Sequence, residues 1–202
     1  MRLRSGTMWV AGLVGLAVGA VASATTMLEQ DVAALTKASA VVVRAKVLAS
    51  RARWTADRAR IVTDTEVEIL DAWKGAPAAR VVVMQPGGIV GEVGQKVAGA
   101  ARFSVGEEVV LFLEPRGDRY AVSGMSQGAF HVERSSDGKT AFARQDLDEA
   151  LLLDPVTRQP VAGPREILTV DQLKARVLAA VSTSPTTPVR PPASTRPPLL
   201  TP

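Results

Sequence analysis

The chain contains no cysteine and a single histidine, His131. The first absence excludes disulfide scaffolds, thiolate metal sites and thiol catalysis, so a folded region must be held by its core. With one histidine, a zinc site would have to recruit carboxylates for its other ligands. The clusters available are Asp146, Asp148 and Glu149, and Asp64, Glu66 and Glu68. The first reads as a helix N-terminus, where acids favour the dipole, and the second as a solvated strand face. Calcium-loop spacing is absent. No metal and no other cofactor is expected.

Acids are missing from both ends. Arg2 and Arg4 precede residue 25, and Arg190 and Arg196 follow Ser182, with no Asp or Glu in either stretch. Taking those four from 24 basic residues leaves 20, against 20 acidic residues, so the stretch from Thr25 to Ser182 is formally neutral. The basic balance is therefore no electrostatic argument for nucleic acid, which is not an expected partner.

Long hydrophobic runs are also lacking. The apolar stretch Met8 to Val21 is glycine-rich and falls short of the ~20 residues a spanning helix needs. Preceded by Arg2 and Arg4 and followed by Ala22-Ser23-Ala24, it reads as a secretion signal over residues 1–24. Its removal leaves no stable membrane anchor and puts the protein in the periplasm or outside the cell. With 47% hydrophobic residues, the remaining ~160 ordered positions suffice for an unstapled core. Residues 183–202, rich in Pro and Thr, read as a disordered or polyproline-like tail.

Between these ends the dominant signal is period-two alternation. Val43, Ala45 and Val47 alternate with Arg44 and Lys46, and Thr63, Thr65, Val67 and Ile69 with Asp64, Glu66 and Glu68. Such alternation predicts strands with one buried and one wet face. Pairing them would set Arg44 and Lys46 beside Glu66 and Glu68. The expected strands are Val41 to Leu48, Ile61 to Ala72, Arg80 to Met84, the doubly buried run Val109 to Leu113, and Tyr120 to Ser123. Asp137-Gly138 predicts an extra hairpin between Ala129–Glu133 and Lys139–Ala143. A polar loop, Arg51 to Arg60, and a long glycine-rich connection, Pro86 to Gly106, separate strands.

Three helices are expected. Thr26 and Glu29 form a capping box for one from Met27 to Lys37, and a short one covers Asp146 to Leu153. A second box, Thr169 and Gln172, opens an amphipathic C-terminal helix lined by Leu173, Val177 and Val181. Consecutive strands with few intervening helices predict one mainly β domain over residues 25–182, a small Greek-key barrel.

The passage Ala38 to Lys46, the segment Thr63 to Ile69, the turn Trp73-Lys74-Gly75 and the strand Val81 to Met84 resemble the netrin-like module, above all the inhibitory domain of the tissue inhibitors of metalloproteinases. The resemblance implies a five-stranded OB-like barrel between a short N-terminal helix and a C-terminal one. It also implies an inhibitor role, in which the mature terminus, here Thr25 and Thr26, is directed at a protease zinc. The family uses an N-terminal cysteine there. The chain is also similar to exported bacterial proteins carrying Gly-Gly, Phe-x-x-Gly-Glu and Leu-Phe-Leu, here Gly87-Gly88, Phe103 to Glu107 and Leu111-Phe112-Leu113.

Three candidate functions follow. Arg51, Arg53, Arg58 and Arg60 surround Trp54, which suits contact with a protein or another extracytoplasmic ligand. The glycine-rich connection, beginning at Gly87 and Gly88, is long enough to be a binding loop. A non-enzymatic binding module is the main expectation, and a metalloprotease inhibitor acting through Thr25 and Thr26 the alternative. Gly124-Met125-Ser126-Gln127-Gly128 matches the nucleophile-elbow pattern, but with a strand expected after it and His131 five residues on, a serine hydrolase is the remote reading. Those glycines read better as a bulge or tight turn.

Overall fold

The computed structural model describes residues 25–161 and 167–183. The expected signal segment and the tail beyond residue 183 lie outside them. The described chain is mainly β, with a large multi-stranded sheet and two helices. In chain order it begins with β1 (Thr25–Leu28), α1 (Val32–Ala38), β2 (Val41–Trp54), β3 (Ile61–Lys74) and β4 (Arg80–Pro86). A small hairpin, β5 (Gly88–Val90) and β6 (Val93–Gln95), precedes β7 (Glu108–Arg116) and β8 (Arg119–Val122). After a 3-10 turn (Met125–Gly128) come β9 (Ala129–Arg134), β10 (Ala141–Gln145), β11 (Ala150–Leu153), β12 (Leu168–Thr169) and α2 (Val170–Thr183).

The alternating segments form the long antiparallel pair β2–β3. Val43, Ala45, Val47, Thr65 and Val67 turn inward and are almost wholly buried. The expected strand end at Leu48 is corrected: β2 runs on to Trp54, leaving only residues 55–60 as the turn. Val47 opposes Val67 and Ala49 opposes Glu66, so Leu48 has no partner and the side-chain alternation resets there. That break is what mimics a strand terminus. The bulges also shift the expected charge pairing. Lys46 does face Glu68, but Arg44 faces Asp71 and makes its ion pair with Glu108 of β7.

Strand β4 lies antiparallel to β3, β7 to β2, and β8 to β7. A single parallel contact, Val83 with Tyr120, joins β4 to β8. The pairings thus run β2–β3–β4–β8–β7 and return to β2. Val43, Val67, Val83, Leu111 and Leu113 fill the space they enclose. From β7 the sheet continues outward through β9, β10 and β12, with the expected turn at Asp137-Gly138. Leu35 of α1 and Leu173 and Val177 of α2 pack onto its outer face against Val42, Val110 and Phe112. Val109 to Leu113 is accordingly buried on both sides, as its unbroken apolar run predicts.

Two expected helices are strands or begin later. β1 and β11 form a parallel pair, Thr25 opposite Ala150 and Leu28 opposite Leu153. The Thr26–Glu29 box is therefore unused, and the Glu29 N–H goes to Leu153 O. Gln127 fixes the exit from β1, accepting the Gln30 N–H (2.8 Å) and donating to Leu28 O (2.9 Å). Helix α1 starts instead after Asp31, whose carboxylate accepts the Ala34 N–H at 2.7 Å. Gln127 and Leu153, distant in sequence, thus override the local Thr26–Glu29 capping pattern. The second box does form. Thr169 N–H reaches Gln172 Oε1 (2.9 Å) and Gln172 N–H reaches Thr169 Oγ1 (3.1 Å).

The Trp73-Lys74-Gly75 turn ties both helices to β3. Lys74 Nζ donates to Thr36 O (2.6 Å) and Ser39 O (2.5 Å), carbonyls at the end of α1. Gly75 has φ +75°, and a Cβ there would sit 2.8 Å from Ala40 O. Trp73 Nε1 and Lys174 Nζ of α2 both donate to Asp71 Oδ2, at 2.9 and 2.6 Å.

The Lys174 hydrogen bond, aided by Trp73 and opposed by burial, holds the Asp71 carboxyl below its ordinary value. Its contribution is complete above the unfolded-state value near ~4 and is lost as pH falls through the lowered folded value. Asp71→Asn is expected to reduce stability by about 0.5–1 kcal/mol at pH 7. The gap to the unsubstituted protein should shrink by pH 3, as read by urea denaturation at both pH values.

Gly88, at φ +137°, offers no room: a Cβ would lie 2.5 Å from Thr63 Oγ1 and 2.8 Å from the Ala52 Cβ. Gly88→Ala is expected to cost about 1–3 kcal/mol in thermal unfolding. Gly91→Asn, in open space at φ +60°, should cost less than half as much.

Candidate binding cleft

A cleft of about 410 Å³ opens at the end of the strand circuit where β4 runs out into Gly87 and Gly88. Its floor follows from strand register. The inward positions of β4 read Val81, Val83, Gln85, and those of β3 read Val67, Thr65, Thr63. Each passes from apolar in the interior to polar at the mouth, and Ser50 of β2 lies alongside. The three side chains form a relay. Thr65 Oγ1 donates to Gln85 Oε1 at 3.1 Å, and the Ser50 and Thr65 hydroxyls are 3.3 Å apart. With the Thr65 proton committed to Gln85, Ser50 is the donor in that second contact. Gln85 is only 5% exposed, and its Nε2 has no hydrogen-bond partner among the described residues. Such a group costs about 1–3 kcal/mol unless something supplies an acceptor.

The β5–β6 hairpin forms one side of the cleft. Gly87 N–H donates to Ile61 O (2.8 Å), Thr63 Oγ1 to Gly87 O (2.8 Å), and Ile61 N–H to Gln95 Oε1 (2.7 Å). Ile89, Val97, Ala101 and Phe103 provide apolar walls. The charged side chains lining the cleft are Lys96 and Arg102, with no acid among them. Both lie 2.7 Å from Glu149 Oε1, and these two hydrogen bonds, Lys96 first, hold the Glu149 carboxyl below its ordinary value.

Of the residues singled out by sequence, Gly87 and Gly88 line this cleft. The arginine–tryptophan group is not assembled as one surface. Arg51 and Arg53 alternate with Trp54 along β2 and so project from the opposite face of the strand. Arg53 is paired with Asp64 at 2.7 Å, Trp54 is half-buried, and Arg58 and Arg60 are exposed in the turn after it. The expected loop is the end of a hairpin. Thr25 and Thr26 sit within the β1–β11 ladder. The Thr25 N–H donates to Glu149 O (3.2 Å) and its Oγ1 to Ala98 O (2.8 Å), behind the segment that closes the cleft.

Ser126 lies in a 3-10 turn between strands, as the expectation of a tight turn has it, with Gly124 at φ +67°. It is 4% exposed, and its Oγ has no partner among the described residues. The Nδ1 of His131 is 3.3 Å from Glu107 Oε2. The space Ser126 and His131 share is about 10 Å³, room for one water and not for an ester. Among the described residues no group of three or more His, Asp or Glu side chains is placed to hold a metal.

Gln85, Ser50, Thr65, Lys96 and Arg102 escape the sequence reading. The available signal is the switch from Val to Thr, Ser or Gln at matching inward positions of neighbouring strands. Compared with models of known protein families and with curated proteins, the chain matches none.

If the unpaired amide is kept for a ligand, removing it should not harm the fold. The double variant Thr65→Val, Gln85→Leu is expected to match or exceed the original stability, by up to about 1 kcal/mol. Gln85→Leu alone should fall between, since it leaves the Thr65 hydroxyl without its acceptor. Chemical denaturation of the three proteins checks this.

Proposed function

We propose that this protein is an exported, non-enzymatic binding module built on an OB-type Greek-key barrel, with the cleft beside Gly87 and Gly88 as its site. Numbering β2, β3, β4, β7 and β8 as five barrel strands gives the order 1-2-3-5-4 closing on 1, with the lone parallel contact between the third and fifth. That order supports the OB reading. The helix before the first strand, the Trp73-Lys74-Gly75 turn ending the second, and the helix at the end agree with the netrin-like resemblance. The N-terminal segment of residues 1–24 supports export.

The observation that carries the binding reading is the Gln85 nitrogen, buried and unpaired in an apolar-walled cleft of ligand size. Ionic groups at the rim and a preformed relay beneath it suit recognition. The alternative of a zinc-directed terminus rests on the resemblance alone.

Ser50 is exposed on the floor edge, so Ser50→Tyr should obstruct the cleft without disturbing the fold. A screen of small polar and apolar fragments by amide chemical shifts is expected to give perturbations clustered over residues 85–103, absent in Ser50→Tyr. Perturbations confined to Arg51, Trp54, Arg58 and Arg60 would transfer the site to the hairpin end and defeat the cleft assignment.

A further inference from the structure

We propose that the cleft takes a small amphipathic carboxylate with a neighbouring carbonyl, the chemistry of an N-acylated hydrophobic amino acid; this rests on reading the cleft as the binding site. Three features converge on that chemistry. The first is the surplus of donors. The Thr65 hydroxyl proton is spent on Gln85 and the Thr63 hydroxyl proton on Gly87 O, while the Gln85 Nε2 protons are unspent. A neutral buried amide donor is matched by a neutral carbonyl acceptor.

The second feature is charge. Lys96 and Arg102 share one carboxylate, Glu149, so the three groups together carry one excess positive charge. Each cation holds further N–H groups beyond the one directed at Glu149. Their side chains are 71% and 61% exposed and can re-aim at low cost. A second carboxylate would bring the cluster to neutrality and engage charge-assisted donors that are otherwise left to water. The cleft lining contains no acid to repel it or to attract an amine.

The third is the wall. Ile89, Val97, Ala101 and Phe103 offer apolar contact to a hydrocarbon side chain, and Ile89 is 73% exposed. Burying such surface contributes about 25 cal/mol per Å².

The test titrates N-acetyl-L-leucine, its neutral carboxamide N-acetyl-L-leucinamide, and cationic L-leucinamide into the full exported chain, followed by amide shifts. N-acetyl-L-leucine is expected to bind over residues 85–103 and to weaken with added salt. Affinity should fall about tenfold or more for the carboxamide and for the Lys96→Gln, Arg102→Gln double variant, whose positions are on the surface. Gln85→Leu should lower it by a similar factor, and Ser50→Tyr should abolish it. Equal binding of the carboxamide, or tighter binding of L-leucinamide, overturns the carboxylate inference while the cleft remains the site. Binding of N-acetyl-L-leucine that Ser50→Tyr leaves unchanged overturns both. If none of the three binds, this inference fails, and the fragment screen alone decides whether the cleft binds another chemistry.

Discussion

The structure depends on one strand being buried from both sides. In β7, Val109, Leu111 and Leu113 face the enclosed core, while Val110 and Phe112 face the helices, and none of the five is exposed. Each buried side chain of this size stabilises by about 1.5–3 kcal/mol relative to exposure. Because alternate residues of one strand serve two cores, the strand circuit and the helical layer are not independent units. The same strand pairs with β2, β8 and β9, so it holds the closed circuit and the outer sheet in one hydrogen-bonded register.

What the apolar strand does by packing, the Asp71–Lys74 segment does by polar contacts. Within four residues of β3, one carboxylate accepts from Trp73 and Lys174, and one ammonium donates to the closing carbonyls of α1. Burial pushes the Lys74 ammonium below its ordinary value; among the described residues it meets the carbonyl dipoles of Thr36 and Ser39 and no carboxylate. Both helices are thus fixed at the same end of β3. The opposite end, at Thr63 and Thr65, carries the cleft. The docking of the helices and the chemistry of the mouth occupy different ends of the same strand.

Much of this was legible in the sequence. Strong alternation located β2 and β3, an unbroken apolar run located β7, Asp137-Gly138 located the outer hairpin, and Thr169 with Gln172 located α2. Failures occurred where a distant partner outweighed local pattern. Thr26 and Glu29 make a sound capping box, yet the backbone of Thr25–Leu28 is claimed by Ala150–Leu153 and by Gln127, neither of which is near in sequence. The same pairing turns the expected second helix into β11. A bulge at Leu48 hid the far half of β2, and with it the fact that Trp54 and its neighbouring arginines point apart. At the cleft, Gly87 and Gly88 were visible as loop glycines. Thr65 was legible as an inward position of β3 but not as part of a site, and Gln85 fell just past the expected end of β4, where a polar residue reads as loop unless the register of its neighbours is known.

The β1–β11 ladder bears on the order in which the molecule is completed. In a chain synthesised from its N-terminus, residues 25–28 emerge early and their partners, residues 150–153, more than 120 residues later. Joining segments so far apart requires closing a long loop, which the interposed strands shorten only once they have folded. Until then the first strand of the domain presents unpaired backbone groups and the side chains of Met27 and Leu28. This late seam therefore involves the earliest residues to appear, and a nascent chain halted before residue 150 can hold its own beginning only through Ala98 and Gln127, without the strand that pairs with it.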